Sequence, residues 1–311
     1  MNTISKEVRD HPVSQYLNNL QSMASKKTMA LALRRALSSK ENPISNITMN
    51  DVYEFPWPTV NQAQVKELKA ALLNRSSAAT ASQTITAVKG VLGAVFDSGM
   101  ISGDELKRIE RIPNPKVKQD PTTGRYIEPE EIEKLKEVLK ADNTPAGKRD
   151  LAILGWMWSQ GTRSGEVCGA AFKDYEPKTG KLIIKNGKGG ITRENQLKNG
   201  AHAAMNDWIQ ERGNWPGPLF VKTDKYGNII KSKNHLCTHT INNMLAKRQR
   251  QAGIERFSPH DLRRTTATEL IKLHGIRNAQ IILGHTEIST TARYDRGSKD
   301  KAFELAGSRI F

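Results

Sequence analysis

The run IPNPKVKQDPTTGRY, residues 112–126, constrains this chain more than any other stretch. Its three prolines, its glycine and its mostly polar neighbours leave it no helical or strand pattern. Proline is excluded from helix interiors, and the residue before it avoids the helical region. No regular element can run through such a stretch, so the chain divides into two folding bodies with a boundary between about 112 and 125. This division places a first body at 1–115, a linker at 116–124 and a second body at 125–311. With 311 residues in all, each side is long enough to bury a core of its own.

The first body reads as helical. HPVSQYLNNLQSM spaces Val13, Tyr16, Leu17 and Leu20 at helical intervals, and SKKTMALALRRALSSK predicts a second helix opening at Ser25. EFPWPTV breaks the pattern with two prolines. NQAQVKELKAALLNR and SSAATASQTITAVKGVLGAVFDSGM predict two more amphipathic helices, followed by a short one from Asp104 to Ile109. Nothing in this body carries a chemical motif. The second body opens with EPEEIEKLKEVLK, a helix with acids in its first turn, as the helix dipole favours. RDLAILGWMWSQG is apolar nearly all round and reads as a buried core helix. KLIIKNGKGGITRENQL reads as strand, glycine-rich turn and strand. AHAAMNDWIQER, HTINNMLAKRQRQAG, SPHDLRRTTATELIKLHG and IRNAQIILG return to helix. The sequence therefore predicts a mainly α protein with a small antiparallel β-sheet.

Charge narrows the class of partner. The chain has 48 Lys+Arg against 32 Asp+Glu, a formal net charge of +16. The first 115 residues carry 14 basic and 10 acidic side chains, and the remainder carries 34 and 22. Such a surplus points to a polyanionic partner, most commonly nucleic acid. No apolar run approaches the roughly 18 residues that cross a bilayer. The opening MNTISKEVRDHP lacks the apolar centre of a secretory signal, and two cysteines make no disulfide framework. The expectation is a cytoplasmic protein.

Four motifs carry candidate chemistry. In GTRSGEV, Arg163 follows a glycine at the end of the predicted core helix, on rigid scaffold, with Glu166 one helical turn on. The pair reads equally as a structural ion pair. In SPHDLRRTTAT, Ser258 or Pro259 starts a helix whose first turn puts His260 and Arg263 on one face. A helix N-terminus offers unpaired N–H groups and a positive dipole end, which suit a phosphate; a capped helix with surface charges is the alternative. Arg264 points about 100° away and suits a DNA-backbone contact or a salt bridge. In LGHTEISTTARYDRG, His285 is followed nine residues later by Tyr294, whose Thr, Arg, Asp and Gly neighbours are poor company for a core residue. In NGKGG, turn geometry accounts for Gly187, Gly189 and Gly190 but not for Lys188 at the hairpin tip. HLCTH also alternates His235, Cys237 and His239, which on a strand would share one face. No second ligand cluster or CxxC supports a zinc site there.

In this order the motifs resemble the catalytic set of the tyrosine recombinases, the phage-integrase family. The pattern is G-x-R-x-x-E at Arg163 and Glu166, the G-K-G turn at Lys188 about two dozen residues later, H-x-x-R at His260 and Arg263, L-G-H at His285, and Tyr294. The resemblance covers essentially the whole chain. It implies a helical core-binding domain and a mixed α/β catalytic domain that embrace DNA as a clamp. It implies a site-specific recombinase or integrase acting through a 3′-phosphotyrosine intermediate. Tyr294 would be the nucleophile, and Arg163 and Arg263 would hold the non-bridging phosphate oxygens. His285 would donate a hydrogen bond to the phosphate, and His260 would serve in acid–base work with Tyr294. Lys188 would protonate the departing 5′-oxygen, and Glu166 would orient groups near Arg163. The residue types suit this chemistry. A phenol with a pKa near 10 needs positive charge or a base to attack, and guanidinium forks match phosphate oxygens.

No cofactor or metal is implied, because one diester is exchanged for another and the arginines meet the developing charge. The implied partners are double-stranded DNA, three further copies of the chain in a synaptic tetramer assembled from free monomers, and accessory DNA-bending or excision factors. The implied setting is a mobile genetic element. The tail SKDKAFELAG reads as a short helix whose Ala302, Phe303, Leu305 and Ala306 would dock on a neighbouring protomer or fold back. Two other readings keep part of this picture: a type IB topoisomerase-like strand transferase, and a non-catalytic architectural DNA-binding protein. The compact L-G-H to Tyr294 spacing and the helical first body favour the recombinase.

Overall fold

The computed structural model describes residues 10–116, 124–185, 192–224 and 226–295. The chain forms two compact units, Met1–Gln119 and Asp120–Phe311. It is mainly α with one small antiparallel sheet, as the sequence predicts.

The first unit holds helices α1 (Pro12–Asn19), α2 (Met23–Leu37), α3 (Met49–Glu54), α4 (Gln62–Arg75), α5 (Ala78–Asp97) and α6 (Gly103–Glu110). Helix α5 is its axis and packs against α1, α2, α4 and α6. Ala81, Ile85, Val88, Leu92 and Val95 recur every three or four residues along α5 and are buried, which is the apolar stripe the 3.6-residue period requires. Two details differ from the sequence reading. Helix α2 begins at Met23, two residues before Ser25, because Ser22 is the residue that caps it; Ser22 Oγ accepts from the Ser25 N–H at 3.0 Å. The break at EFPWPTV is also more than a break. Thr48 and Asp51 form a capping box that starts α3, and Trp57 is buried with its indole N–H donated to the Val52 carbonyl at 2.8 Å.

The second unit holds α7 (Pro129–Ala141), α8 (Pro145–Gln160), α9 (Ser164–Gly169), strands β1 (Tyr175–Glu176), β2 (Lys181–Lys185) and β3 (Thr192–Gln196), and helices α10 (Asn199–Arg212), α11 (Thr238–Gln251), α12 (Pro259–Leu283) and α13 (Ile288–Ala292). The sheet order is β1-β2-β3 with both pairings antiparallel, and Lys185 lies opposite Thr192. Strand β1 and helix α13, two and five residues long, are too short to show a period, and the sequence does not reveal them. Helix α8 is the buried helix expected, and it packs against α7, α10 and α12. Trp156 of α8 and Trp208 of α10 both stack on Phe220, with ring centroids 6.1 and 6.3 Å apart.

Helix α12 is kinked at Gly275, whose φ of 78° interrupts the helical backbone. The turn residues that include Gly187, Lys188, Gly189 and Gly190 lie outside the described residues, as does the tail with Ala302, Phe303, Leu305 and Ala306. Among the described residues no helix is long and apolar enough to cross a membrane.

Candidate active site

Helix α8 ends at Gly161, which adopts the left-handed conformation (φ 58°) and turns the chain so that Arg163 opens α9. A Cβ at Gly161 would meet Leu283 Cδ2 at 2.6 Å, so the glycine of G-x-R is required by both backbone angle and space. Arg163 donates from its backbone N–H to Glu166 Oε2 at 3.0 Å and from Nη1 to Glu166 Oε1 at 2.9 Å. Its side chain remains 45% exposed, whereas that of Glu166 is 7% exposed. The structural ion pair considered for Arg163 and Glu166 is therefore present, and Arg163 still faces solvent.

A second arginine, which the sequence reading did not single out, completes this group. Arg193 of β3 grips Glu166 in a two-pronged bond, Nη1 to Oε1 at 2.8 Å and Nη2 to Oε2 at 2.7 Å. Burial alone would raise the Glu166 carboxyl, but the hydrogen bonds and charge of Arg193, helped by Arg163, bring it down to about 2. Gly284 is the glycine of L-G-H, and it adopts a φ of 65°; a Cβ there would lie 2.5 Å from Arg193 Cδ. Arg193 was legible in principle. It lies opposite Ile184 in the β2–β3 register, and Leu182 and Ile184 face the core. Period-two alternation carried across the hairpin places Arg193 and Asn195 on that same buried face.

Helix α12 starts at Ser258, whose Oγ accepts from the Asp261 N–H at 3.2 Å while Asp261 returns a bond to the Ser258 N–H at 2.9 Å. Asp261 is thus occupied with the cap. His260 stands open on this first turn. Crowding by neighbouring atoms and the positive charges of Arg264 and Arg263 push its imidazole below the ordinary histidine range. Arg263, one turn on, is only 2% exposed. It donates from Nη1 to the Gly161 carbonyl, and from Nη2 to the Leu283 carbonyl at 3.1 Å and to His285 Nε2 at 2.6 Å. One side chain so joins the end of α8, the end of α12 and the histidine of L-G-H. Burial and the nearby Arg163 lower its guanidinium to about 10, which leaves it charged at neutral pH.

His285 is buried, with Nδ1 2.9 Å from Thr291 Oγ1. Burial, then the charges of Arg263, Arg163 and Arg193, lower its imidazole to about 4, so the ring is neutral at pH 7. Tyr294 stacks on it, with centroids 5.9 Å apart and planes 20° apart. Tyr294 is half-buried beside Ala267, Ala279 and Leu283, and its carbonyl accepts from Thr268 Oγ1 at 3.1 Å. Its neighbours in sequence suggested a surface residue; its neighbours in space give one face of the ring a small apolar seat.

Arg163, Glu166, His260, Arg263 and His285 wall one cleft of about 690 Å³. Three guanidiniums (Arg163, Arg193, Arg263) stand against the buried Glu166, a surplus of two positive charges in that group, and the exposed Glu287, which also lines the cleft, offsets one of them. Of the seven candidate residues, the structure gathers five on the cleft and puts Tyr294 against one of them; Lys188 lies outside the described residues. The other two lysines of the hairpin are engaged. Lys185 Nζ lies 2.5 Å from Asp174, and Lys181 Nζ lies 3.2 Å from Glu194. The HLCTH run is not a strand. His235 Nδ1 contacts the Cys168 carbonyl at 2.7 Å, while Cys237 caps α11 and His239 lies within it. Among the described residues no cluster of three His, Cys, Asp or Glu side chains could hold a metal.

Residues 125–301 match the model of the phage integrase family, more than half of the chain. The chain belongs to this family, the tyrosine recombinases, which cleave and rejoin DNA. Tyrosine recombinase XerA of Pyrococcus furiosus is 31% identical over 188 residues, which cover 60% of this chain and 62% of the relative. Tyrosine recombinase XerC of Corynebacterium glutamicum is 27% identical over 261 residues, 83% of this chain and 79% of the relative. The match thus spans less than two thirds of the Pyrococcus protein and nearly four fifths of the Corynebacterium one. The Tn1549 transposon integrase, solved in complex with transposon right end DNA, is 15% identical with a TM-score of 0.66, covering 96% of this chain and 98% of that one. At that identity the likeness is one of fold.

Proposed function

We propose that this chain is a site-specific DNA recombinase in which Tyr294 attacks a backbone phosphorus. The attack breaks the bond to the 5′-oxygen and forms a 3′-phosphotyrosyl ester. A 5′-hydroxyl from a second strand reverses the step, so the diester count is conserved and no energy source is consumed. Arg163 and Arg263 hold the non-bridging oxygens, His285 donates to one of them, and His260 handles the proton of Tyr294. Lys188 gives a proton to the departing 5′-oxygen. Glu166, held by Arg193, aims Arg163 as a positioning residue. The observation that carries this reading is the positive surplus of three guanidiniums against one buried carboxylate at the wall of one open cleft, with a tyrosine stacked on its histidine. A phosphodiester brings one negative charge and gains more as attack proceeds, so it fills that surplus best in the transition state.

Duplex DNA as the substrate is supported by the family and by the DNA complex of the Tn1549 integrase. The first unit serves as the core-binding domain and the second as the catalytic domain. The working assembly is a tetramer of chains on two duplexes, formed from free monomers in the cytoplasm at the nucleoid, with DNA-bending or excision factors as helpers. The gene belongs to a mobile element, and its site lies in the flanking DNA. The test begins with footprinting on that DNA, followed by trapping on a nicked duplex carrying the footprint. The unaltered chain should give a covalent adduct on a denaturing gel. Tyr294→Phe should bind equally and give none; a normal adduct in that variant removes Tyr294 as the nucleophile.

A further inference from the structure

Thr291 lies on α13, fully buried, three residues before Tyr294. Its Oγ1 meets His285 Nδ1 at 2.9 Å, while Nε2 on the other side of the ring meets Arg263 Nη2 at 2.6 Å. A guanidinium has donors and no acceptor. Nε2 must therefore offer its lone pair to Arg263, and the single proton of the neutral ring sits on Nδ1, where Thr291 Oγ1 accepts it. The role proposed for His285 needs the other tautomer. Nδ1 is turned to a fully buried threonine, so the nitrogen left to meet a phosphate is Nε2, and it must carry the proton to donate.

We infer that Thr291 sets which ring nitrogen of His285 carries the proton: its hydroxyl accepts from Nδ1–H in the free site and donates to bare Nδ1 when a phosphate is bound. A hydroxyl is the smallest side-chain group able to do both by rotation alone. The ring holds one proton in each state, exchanged with water of the open cleft, so no net acid or base is consumed. Phosphate entry drives the change because its oxygens take over Arg263, which frees Nε2. Burial and the charges of Arg263, Arg163 and Arg193, only partly offset by Glu166, keep the ring neutral throughout, so tautomer and not charge is the variable. Thr291 is a positioning residue. The inference rests on His285 being the phosphate donor.

The test uses the full chain carrying Tyr294→Phe, labelled with ¹⁵N-histidine, with the footprinted duplex as the probe. The ¹⁵N shifts of His285 should report Nδ1–H in the free protein and Nε2–H on the duplex. Thr291→Val, made in the same background, should abolish that exchange. In the cleaving chain it should slow single-turnover cleavage about tenfold, the effect of one hydrogen bond lost from the transition state, with duplex affinity unchanged. Thr291→Ser should keep both properties. Nε2–H in the free protein, or wild-type cleavage by Thr291→Val, overturns the inference. If Thr291→Val does not fold, the free-state tautomer and Thr291→Ser decide, since slow cleavage by the serine variant counts against a role for the hydroxyl. His285→Ala separates the two layers. Normal cleavage there overturns the role of His285 itself, whereas slow cleavage there with normal cleavage in Thr291→Val overturns only the role of Thr291.

Discussion

In the second unit Arg149, Asp150, Arg248 and Asp142 form one ionic cluster, and Arg163, Glu166, Arg193 and Arg263 form another. The first is balanced, two cations against two anions. Arg149 Nη2 meets Asp150 Oδ1 at 2.8 Å, and Arg248 reaches Asp150 at 2.9 Å through Nε and Asp142 at 2.7 Å through Nη1. It ties the end of α7 to α8 and α11. The second has three cations against one anion and borders the open cleft. The protonation of the arginines registers the difference. Burial would lower Arg248, but Asp150 and Asp142 outweigh it and raise the guanidinium; for Arg263, burial and Arg163 outweigh the pull of Glu166 and Tyr294, and it is lowered to about 10. Two ionic clusters in one unit can thus be sorted by counting charges. Neutral closure serves the fold, and a retained surplus is affinity held for an anion still to arrive.

The comparison breaks most readily at Arg248. Arg248→Ala leaves the buried Asp150 with Arg149 alone and its Oδ2 unpartnered, and should cost about 1–3 kcal/mol of stability by denaturant unfolding. Cleavage per folded molecule should not change; a cleavage defect at unchanged stability would remove the distinction between the clusters. Arg163→Ala is the opposite case. It should lower cleavage by about 10²–10³-fold while leaving the unfolding midpoint close to that of the parent, because its side chain is 45% exposed. A large loss of stability there would make the second cluster structural too.

Acid should separate the clusters more finely. His285 is held below its ordinary value, so the unfolded chain takes up that proton first; its contribution is complete above about 6.5 and disappears as pH falls through about 4. Glu166, lowered from 4.5 to about 2, loses its contribution between those values, and Asp142, lowered from 3.8, follows only below that ordinary value. Stability measured from pH 7 downward should therefore decline first through the cleft, and His285→Gln should flatten the slope between pH 6.5 and 4. An unchanged slope would show that the ring is not held neutral by burial and its cationic neighbours.

The smallest effect is expected at Lys185, on the hairpin strand. Lys185→Ala takes an exposed lysine from the buried Asp174 and should lower stability by about 1–2 kcal/mol, with cleavage near normal. Lys188→Ala should fail on an ordinary substrate and recover when the bridging 5′-oxygen is replaced by sulfur, which leaves without a proton. Rescue of Lys185→Ala in place of Lys188→Ala would move the donor to the strand.

The longer helices of both units were legible because each carries an apolar stripe, and Arg163, Glu166, His260, Arg263, His285 and Tyr294 were legible because short spacings expose them. What the letters did not carry was the reason for the spacings. The glycines of G-x-R and L-G-H read as punctuation, yet Gly161 supplies a carbonyl to Arg263 and Gly284 leaves room for Arg193. Arg193 escaped notice because TRENQ is polar throughout, so only its pairing with KLIIK shows which face is buried. Strand β1 and helix α3 are two and six residues long, too short to complete a recognisable period. Thr291 was invisible because its significance lies in a ring six residues away, across the turn of α13.

Arg263 has a consequence for descent. The same guanidinium proposed to hold the phosphate also fastens the ends of α8 and α12 to each other, so a lineage cannot discard it without loosening the domain that carries it. Arg163 and Tyr294 have no such second employment of comparable weight. Descendants that abandoned strand exchange and kept only a grip on DNA would shed those two early and retain Arg263 long after its chemistry was gone. A surviving H-x-x-R in a distant relative is therefore poor testimony that the relative still cuts, and the exposed arginine and the tyrosine are the residues to inspect.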